Sequence, residues 1–177
     1  MTISLAIDTA TSRTIVALLD GGKVLFEQFH EGATDHGRAI SELVALALKS
    51  GAPPDQVVVG MGPGPFTGLR VGITFAQSFA MARKIPVRGV CSLDAIQVDQ
   101  SAYTVAIDAR RKEIYWASYE NGLRVAGPAV DKPADVKDYI LDKFPDMKKL
   151  VALSSKENIT EPMYLRRPDA VPTVERA

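Results

Sequence analysis

The chain has 177 residues, 46% of them apolar, with 21 Lys and Arg balancing 21 Asp and Glu. That length can bury the core of one or two small domains, and zero formal charge leaves no global field to attract a nucleic-acid backbone, so contact with RNA has to be local or delegated to a partner. The lone cysteine, Cys91, excludes an intramolecular disulfide framework, and the lack of a leader-like start or a bilayer-length apolar run points to the cytoplasm with no membrane contact.

Ile3 to Ile7 reads as a short buried strand ending at Asp8, followed by the polar turn Thr9-Ala10-Thr11-Ser12-Arg13. Ile15 to Leu19 is a second strand, Asp20-Gly21-Gly22-Lys23 a hairpin signal, and Val24 to Phe29 the returning strand. Ile40, Leu43, Val44, Ala47 and Leu48 fall at helical spacing, an amphipathic helix closed by Gly51. Val57-Val58-Val59 then runs as a buried strand into Gly60-Met61-Gly62-Pro63-Gly64-Pro65, where the backbone has to turn. Thr67 is the expected N-cap of a helix from about Gly68 to Lys84, and Gly62 and Gly64 are expected to hold backbone angles that a β-carbon penalises. Pro86 to Cys91 is the next strand, and Ser92 is expected to cap a short helix through about Val98.

Strand, glycine turn and helix is the plan of many phosphate sites, but the details disagree here. A Walker loop needs Lys and then Ser or Thr after its last glycine, and Gly68 is followed by Leu69-Arg70. Rossmann spacing is absent too, and Pro63 and Pro65 each remove a backbone donor that a phosphate cradle would use. A rigid turn that aims the helix is the better reading. Along that helix Gly68, Gly72, Ala76 and Ala80 make a stripe of small side chains, with apolar residues over much of the remaining surface. The stripe suits either a partner's helix or the chain's own core.

The pattern then restarts. Val105-Ala106-Ile107-Asp108 repeats Leu5-Ala6-Ile7-Asp8, and Ala109-Arg110-Arg111-Lys112 takes the place of the first turn. Ile114 to Tyr119, Glu120-Asn121-Gly122 and Leu123 to Val130 repeat strand, hairpin turn and strand; a helix at about Ala134 to Phe144 and a strand from Lys149 to Leu153 are expected to follow. The fold class is therefore α/β: duplicated actin-like (ribonuclease H-like) lobes at 1–100 and 101–177, mixed sheets covered by helices, the second lobe shortened.

Asp8 and Asp108, at the ends of equivalent strands, either face one cleft as carboxylates that hold a metal or activate water, or cap neighbouring loops. The first loop offers the hydroxyls of Thr9 and Thr11 but no glycine, and the second presents Arg110 and Arg111 where backbone donors should approach. With no glycine after Gly127, ATP hydrolysis is not expected. His30 and His36 lack the one-turn spacing of a helical metal pair and read as polar surface or capping residues, while Cys91 reads as core.

Gly62-Pro63-Gly64-Pro65-Phe66-Thr67-Gly68-Leu69-Arg70-Val71-Gly72 is similar to the Gly-Pro-Gly-Ser-Phe-Thr-Gly-Leu-Arg-Ile-Gly signature of the TsaB (YeaZ) family. Leu5 to Thr11, Ala106 to Arg110 with Glu113 to Ala117, and Glu161-Pro162-Met163-Tyr164-Leu165-Arg166 resemble its other characteristic segments, in the family's order. Position 65 is Pro where the family usually has Ser, and the stretch between Leu153 and Glu161 is short where typical members carry further helices.

The resemblance implies a non-catalytic subunit of the bacterial machinery that makes threonylcarbamoyladenosine in tRNA. It implies pairing with the catalytic paralogue TsaD and with the small ATPase TsaE, or a homodimer when alone. Contact with tRNA would be indirect, and ATP and a metal would be used by the complex through its partners rather than bound by this chain. The family's pairing helices map onto an expected interface of Ile40, Leu43, Ala47, Phe66, Thr67, Leu69, Arg70, Gly72, Ile73, Ala76, Gln77 and Ala80. Asp8, Thr9, Thr11, Asp108, Arg110 and Arg111 would be degenerate nucleotide loops or partner loops. The alternative is an ATP-dependent small-molecule kinase or ATPase of the same fold; a metallopeptidase-like activity is argued against by the missing histidine pair.

Overall fold

A computed structural model describes residues 2–166, so the last residues of the expected second lobe, 167–177, lie outside the described residues. Strands β1 (Ile3–Asp8), β2 (Arg13–Asp20) and β3 (Lys23–Glu31) form an antiparallel meander. Helix α1 (His36–Ala47) crosses to β4 (Gln56–Gly60), which lies parallel to β1, and α2 (Phe66–Arg83) crosses to β5 (Val87–Val90), parallel to β4. The first sheet thus has the order β3-β2-β1-β4-β5.

The strand period of two places alternate residues on opposite faces. Leu5, Ile7, Val16, Leu18, Val57 and Val59 meet Ile40, Leu43, Val44 and Ala47 of α1 and Leu69, Ile73, Ala76 and Ala80 of α2. Ala6, Ile15, Ala17, Leu19 and Val58 form the other face.

β6 (Ala102–Arg110), β7 (Glu113–Glu120) and β8 (Leu123–Asp131) repeat the meander, and β9 (Tyr139–Ile140) lies parallel to β6, in the sheet order β8-β7-β6-β9. The duplication is thus visible in topology as well as in residues.

Three expectations fail in the connecting segments. Ser92 starts a run of turns rather than a helix: its hydroxyl donates to the Asp8 carboxylate and accepts Gly62 N–H at 3.3 Å, in place of an N–H of its own segment. Residues 134–144 hold only a 3₁₀ turn, Pro133–Asp135, and the strand β9, since Tyr139 and Ile140 pair with Thr104 and Val105. The expected strand Lys149 to Leu153 is instead part of helix α3 (Met147–Leu153), because the Asp146 carboxylate caps its first turn by accepting from the Lys149 N–H at 2.7 Å.

That last helix does not cover its own sheet. Met147 and Leu150 are fully buried against Ala6, Ala17, Leu19 and Val58, on the face of the first sheet opposite α1 and α2. Beyond α3 the chain runs back along the first sheet's edge: Ile159 N–H donates to Gly89 O at 2.8 Å, and Met163 N–H to Met61 O at 2.8 Å. No helix among the described residues is long and apolar enough to cross a membrane.

Candidate functional site

The Gly-Pro loop between β4 and α2 is the hub. Gly62 has φ +95°, Met61 N–H donates to Val90 O at 2.8 Å, and Ser92 N–H donates to Gly62 O at 2.7 Å. Helix α2 begins at Phe66, after Pro65, so the expected N-cap Thr67 lies exposed inside the first turn, and no side chain caps the helix. Proline is well placed there: it ends the loop with a fixed φ and donates no N–H of its own.

This hub closes over the first acidic turn. Asp8 is fully buried; its Oδ2 accepts the Ser92 hydroxyl at 2.6 Å and its Oδ1 accepts Ala10 N–H at 2.9 Å. Burial pushes the Asp8 carboxyl up from 3.8 to about 6, with the Ser92 and Ala10 hydrogen bonds pulling the other way. Thr9 is buried as well, its hydroxyl donating to Gly68 O at 2.7 Å. Gly64 and Gly72 press against this turn: a Cβ on Gly64 would sit 2.6 Å from Ala10 O, and one on Gly72 would sit 2.2 Å from Thr9 Oγ1. Gly64 therefore lacks a β-carbon because of its neighbour and not, as expected, because of its own backbone angle.

The second acidic turn is open. Asp108 is exposed and accepts Arg110 N–H at 2.8 Å, the same two-residue turn that Asp8 makes with Ala10. Arg110, Arg111 and Lys112 all have positive φ, from 56° to 63°. Asp8 lines neither large cavity, whereas Asp108 lines the smaller one, of about 310 Å³, so the two carboxylates do not form a shared site. Among the described residues no cluster of three or more His, Cys, Asp or Glu side chains is placed to hold a metal ion.

Burial corrects much of the expected interface. Ile40, Leu43, Ala47, Leu69, Gly72, Ile73, Ala76 and Ala80 are buried in the chain's own core, and the small-residue stripe is the face of α2 that packs inward. A helix packed on a sheet turns its small residues to the point of closest approach. Phe66, Thr67, Arg70 and Gln77 are exposed, and Met81, with 78% of its surface exposed, extends the same outer side of α2.

His36 also departs from its expected role as a polar surface or capping residue, since Asp35 holds the N-cap position of α1. It opens α1, is 3% exposed, and its Nδ1 lies 2.8 Å from the Thr14 hydroxyl. Burial lowers its pKa first, and the Arg110 charge from the other lobe lowers it further, as does His30, against an opposing pull from Asp35. His30 keeps a polar surface role, 3.8 Å from Asp35. Cys91 is core, fully buried, its thiol pushed up to about 12 by burial.

A cavity of about 660 Å³ lies between the lobes. Thr11, the first turns of α1 and α2, Arg110, Arg111, Tyr115, Tyr164 and Arg166 contribute to its wall. Tyr164 tilts against Phe66 with 4.8 Å between ring centroids, and Arg166 donates to the Glu113 carboxylate and, at 3.3 Å, to Arg110 O. All four motif segments picked out in the sequence therefore converge here. The roles of His36, Ser92 and Arg166 were not readable from their surroundings in sequence, although Arg166 closes one of those segments.

The family model for TsaD, tRNA N6-adenosine threonylcarbamoyltransferase, matches residues 30–170. An uncharacterized protein of Mycobacterium leprae, ML0378, is 47% identical over 77% of this chain and 40% of its own length. The tRNA threonylcarbamoyladenosine biosynthesis protein TsaB of Escherichia coli is 37% identical over 67% of this chain and 57% of its own. The chain thus spans about half the length of these curated relatives. Among solved structures, YeaZ from Pseudomonas aeruginosa superposes with a TM-score of 0.74 at 26% identity, covering 88% of this chain and 92% of that one.

Proposed function

The chain belongs to the TsaB (YeaZ) family and has its actin-like fold, and from that premise we propose that it is a non-catalytic subunit of tRNA threonylcarbamoyladenosine biosynthesis. In this reading it pairs with the catalytic paralogue TsaD and engages TsaE, while tRNA, ATP and metal are handled by those partners.

The observation that carries the non-catalytic part is the closure of the first acidic turn. A phosphate-handling actin-like site needs a backbone loop open to the nucleotide. Here Asp8, Thr9 and Ala10 are buried beneath the glycine loop and α2. The same burial argues against the alternative of a small-molecule kinase or ATPase. Pairing is best assigned to the outer side of α2, where Phe66, Arg70, Gln77 and Met81 leave apolar and charged groups exposed on one helix.

Co-expression with TsaD and TsaE from the same organism, followed by size-exclusion chromatography and a tRNA modification assay, tests this reading. The expected result is a stable complex with TsaD, modification of tRNA that needs both proteins, and no ATP turnover by the isolated chain. Failure to co-elute with TsaD, or steady ATP turnover abolished by Asp8→Asn, would overturn it.

A further inference from the structure

The cavity between the lobes has the features of a ligand site, and the fold's two aspartates are not among the residues that line it. Its volume of about 660 Å³ is within the usual span for small-molecule pockets, on the order of 300–1,000 Å³.

Donors converge on it from both lobes. The first turns of α1 and α2 line it through His36, Gly37, Phe66, Thr67 and Gly68, and the leading N–H groups of a helix have no partner within the helix. His36 adds an independent signal. Its ring is 3% exposed and lines the cavity; Nδ1 is engaged by Thr14, and Nε2 has no hydrogen-bond partner among the described residues. The direction of the Thr14–Nδ1 hydrogen bond follows the ring's tautomer; in the tautomer in which the hydroxyl donates, Nε2 carries the proton and offers the cavity an N–H donor.

From the second lobe, Arg110 brings a positive charge close enough to His36 to depress its protonation. The Arg110 turn is itself held, because Arg166 bonds both its carbonyl oxygen and the Glu113 carboxylate. The nearby acids are engaged elsewhere: Glu113 with Arg166, and Asp35 with His30 at 3.8 Å and Arg38 at 3.6 Å. Phe66, Tyr115 and Tyr164 supply an aromatic wall beside these donors.

We propose that this cavity binds a small organic oxyanion. Its carboxylate or phosphate head sits between His36 Nε2 and Arg110 at the helix starts, and its planar apolar body lies against Phe66, Tyr115 and Tyr164. The inference concerns the isolated chain and needs no partner, although Phe66 belongs both to this cavity and to the proposed pairing side of α2. It does not use the two aspartates, since neither Asp8 nor Asp108 lines this cavity, although Thr11 and Arg110 of their turns do.

Proton and nitrogen NMR of the full chain tests it, because the two histidines make a simple imidazole spectrum. Phenyl phosphate, benzoate and inorganic phosphate are titrated at constant ionic strength and pH 7.5. The expected result is a saturable His36 shift with phenyl phosphate or benzoate, inorganic phosphate binding more weakly and His30 serving as the internal reference. The tighter of the two aromatic probes identifies the head group. Arg110→Ala lies on an exposed turn and should weaken binding about tenfold, as expected for loss of a charged hydrogen bond; His36→Gln should weaken it as well. No saturable His36 shift with any of the three probes, or equal affinity in wild type and Arg110→Ala, overturns the proposal.

Discussion

The Ser92 hydroxyl donates to Asp8 Oδ2 at 2.6 Å, joining the end of β1 to the turn after β5 within a fully buried setting. Asp8 thereby becomes part of the core, with its remaining oxygen held by Ala10 N–H. Gly60 completes the arrangement, because a Cβ there would fall 1.8 Å from Asp8 Oδ2.

This setting gives Asp8 a definite effect on stability. In the folded chain its carboxyl titrates near 6, against 3.8 ordinarily, so between those values the folded state holds a proton that the unfolded state has lost. Its contribution is fully present below pH 3.8 and declines as pH rises to about 6, by about 3 kcal/mol at roughly 1.4 kcal/mol per unit. Asp8→Asn keeps an acceptor for Ala10 N–H and reverses the Ser92 contact, its amide donating to the hydroxyl oxygen, without the ionisation. Its stability relative to wild type should rise between pH 4 and 6 and then level off. Asp8→Ala strands both partners and should cost about 1–3 kcal/mol. Urea unfolding at several pH values measures all three chains, and parallel pH profiles for wild type and Asp8→Asn would contradict the assignment.

Gly62 and Gly64 should respond differently to the same substitution. Gly64→Ala puts a methyl against the Ala10 backbone, which cannot swing aside as a side chain would. Gly62→Ala meets the flexible end of Leu69 but carries the penalty of φ +95°. Each should lose at least about 1 kcal/mol. Only Gly64→Ala should also disturb the first acidic turn, seen as shifted Thr9 and Ala10 amide resonances. Equal disturbance of those amides by both variants would mean that the loop moves as one piece.

The two sides of α2 separate folding from association. Ala76→Leu and Gly72→Leu add bulk against the chain's own core and should lower the melting temperature, since overpacking costs about 1–3 kcal/mol. Arg70→Glu and Met81→Asp change exposed positions and should leave melting within about 0.5 kcal/mol of wild type. On the proposed reading, they weaken co-elution with TsaD. Intact pairing in both surface variants would move the contact to another surface.

The first lobe was legible because each element repeats a simple period. Leu5 and Ile7 alternate with Ala6, and Ile40, Leu43, Val44 and Ala47 mark one side of a helix. Leu150-Val151-Ala152-Leu153 carries no such period, so its helix came from outside the run: the Asp146 cap and the face of the first sheet that Met147 and Leu150 cover. The small-residue stripe was visible, but residue size alone does not say whether a sheet or a partner occupies the groove. Ser92 and His36 were opaque for a further reason. Their hydrogen bonds span 84 and 22 residues, and their partners, Asp8 and Thr14, are recognisable only once the strands are assembled.

The docking of α3 makes the two halves of the chain interdependent. Leu150 is fully buried against the first sheet although it follows the whole second meander, so removing it should loosen both. Leu150→Ala is expected to cost about 2–5 kcal/mol, the range for truncating a buried leucine. Cys91 offers a built-in probe, because its thiol is buried in the second core and pushed up to about 12, leaving little reactive thiolate in the native state. Labelling by a disulfide reagent at pH 8 should therefore report opening of the fold. In Leu150→Ala it should accelerate by the full factor of the lost stability, in step with tryptophan fluorescence from Trp116 on β7. Thermal unfolding should stay a single transition in both chains. Two separated transitions, or Cys91 labelling that Leu150→Ala leaves unchanged, would show that the second sheet keeps its order without α3 bound to the first.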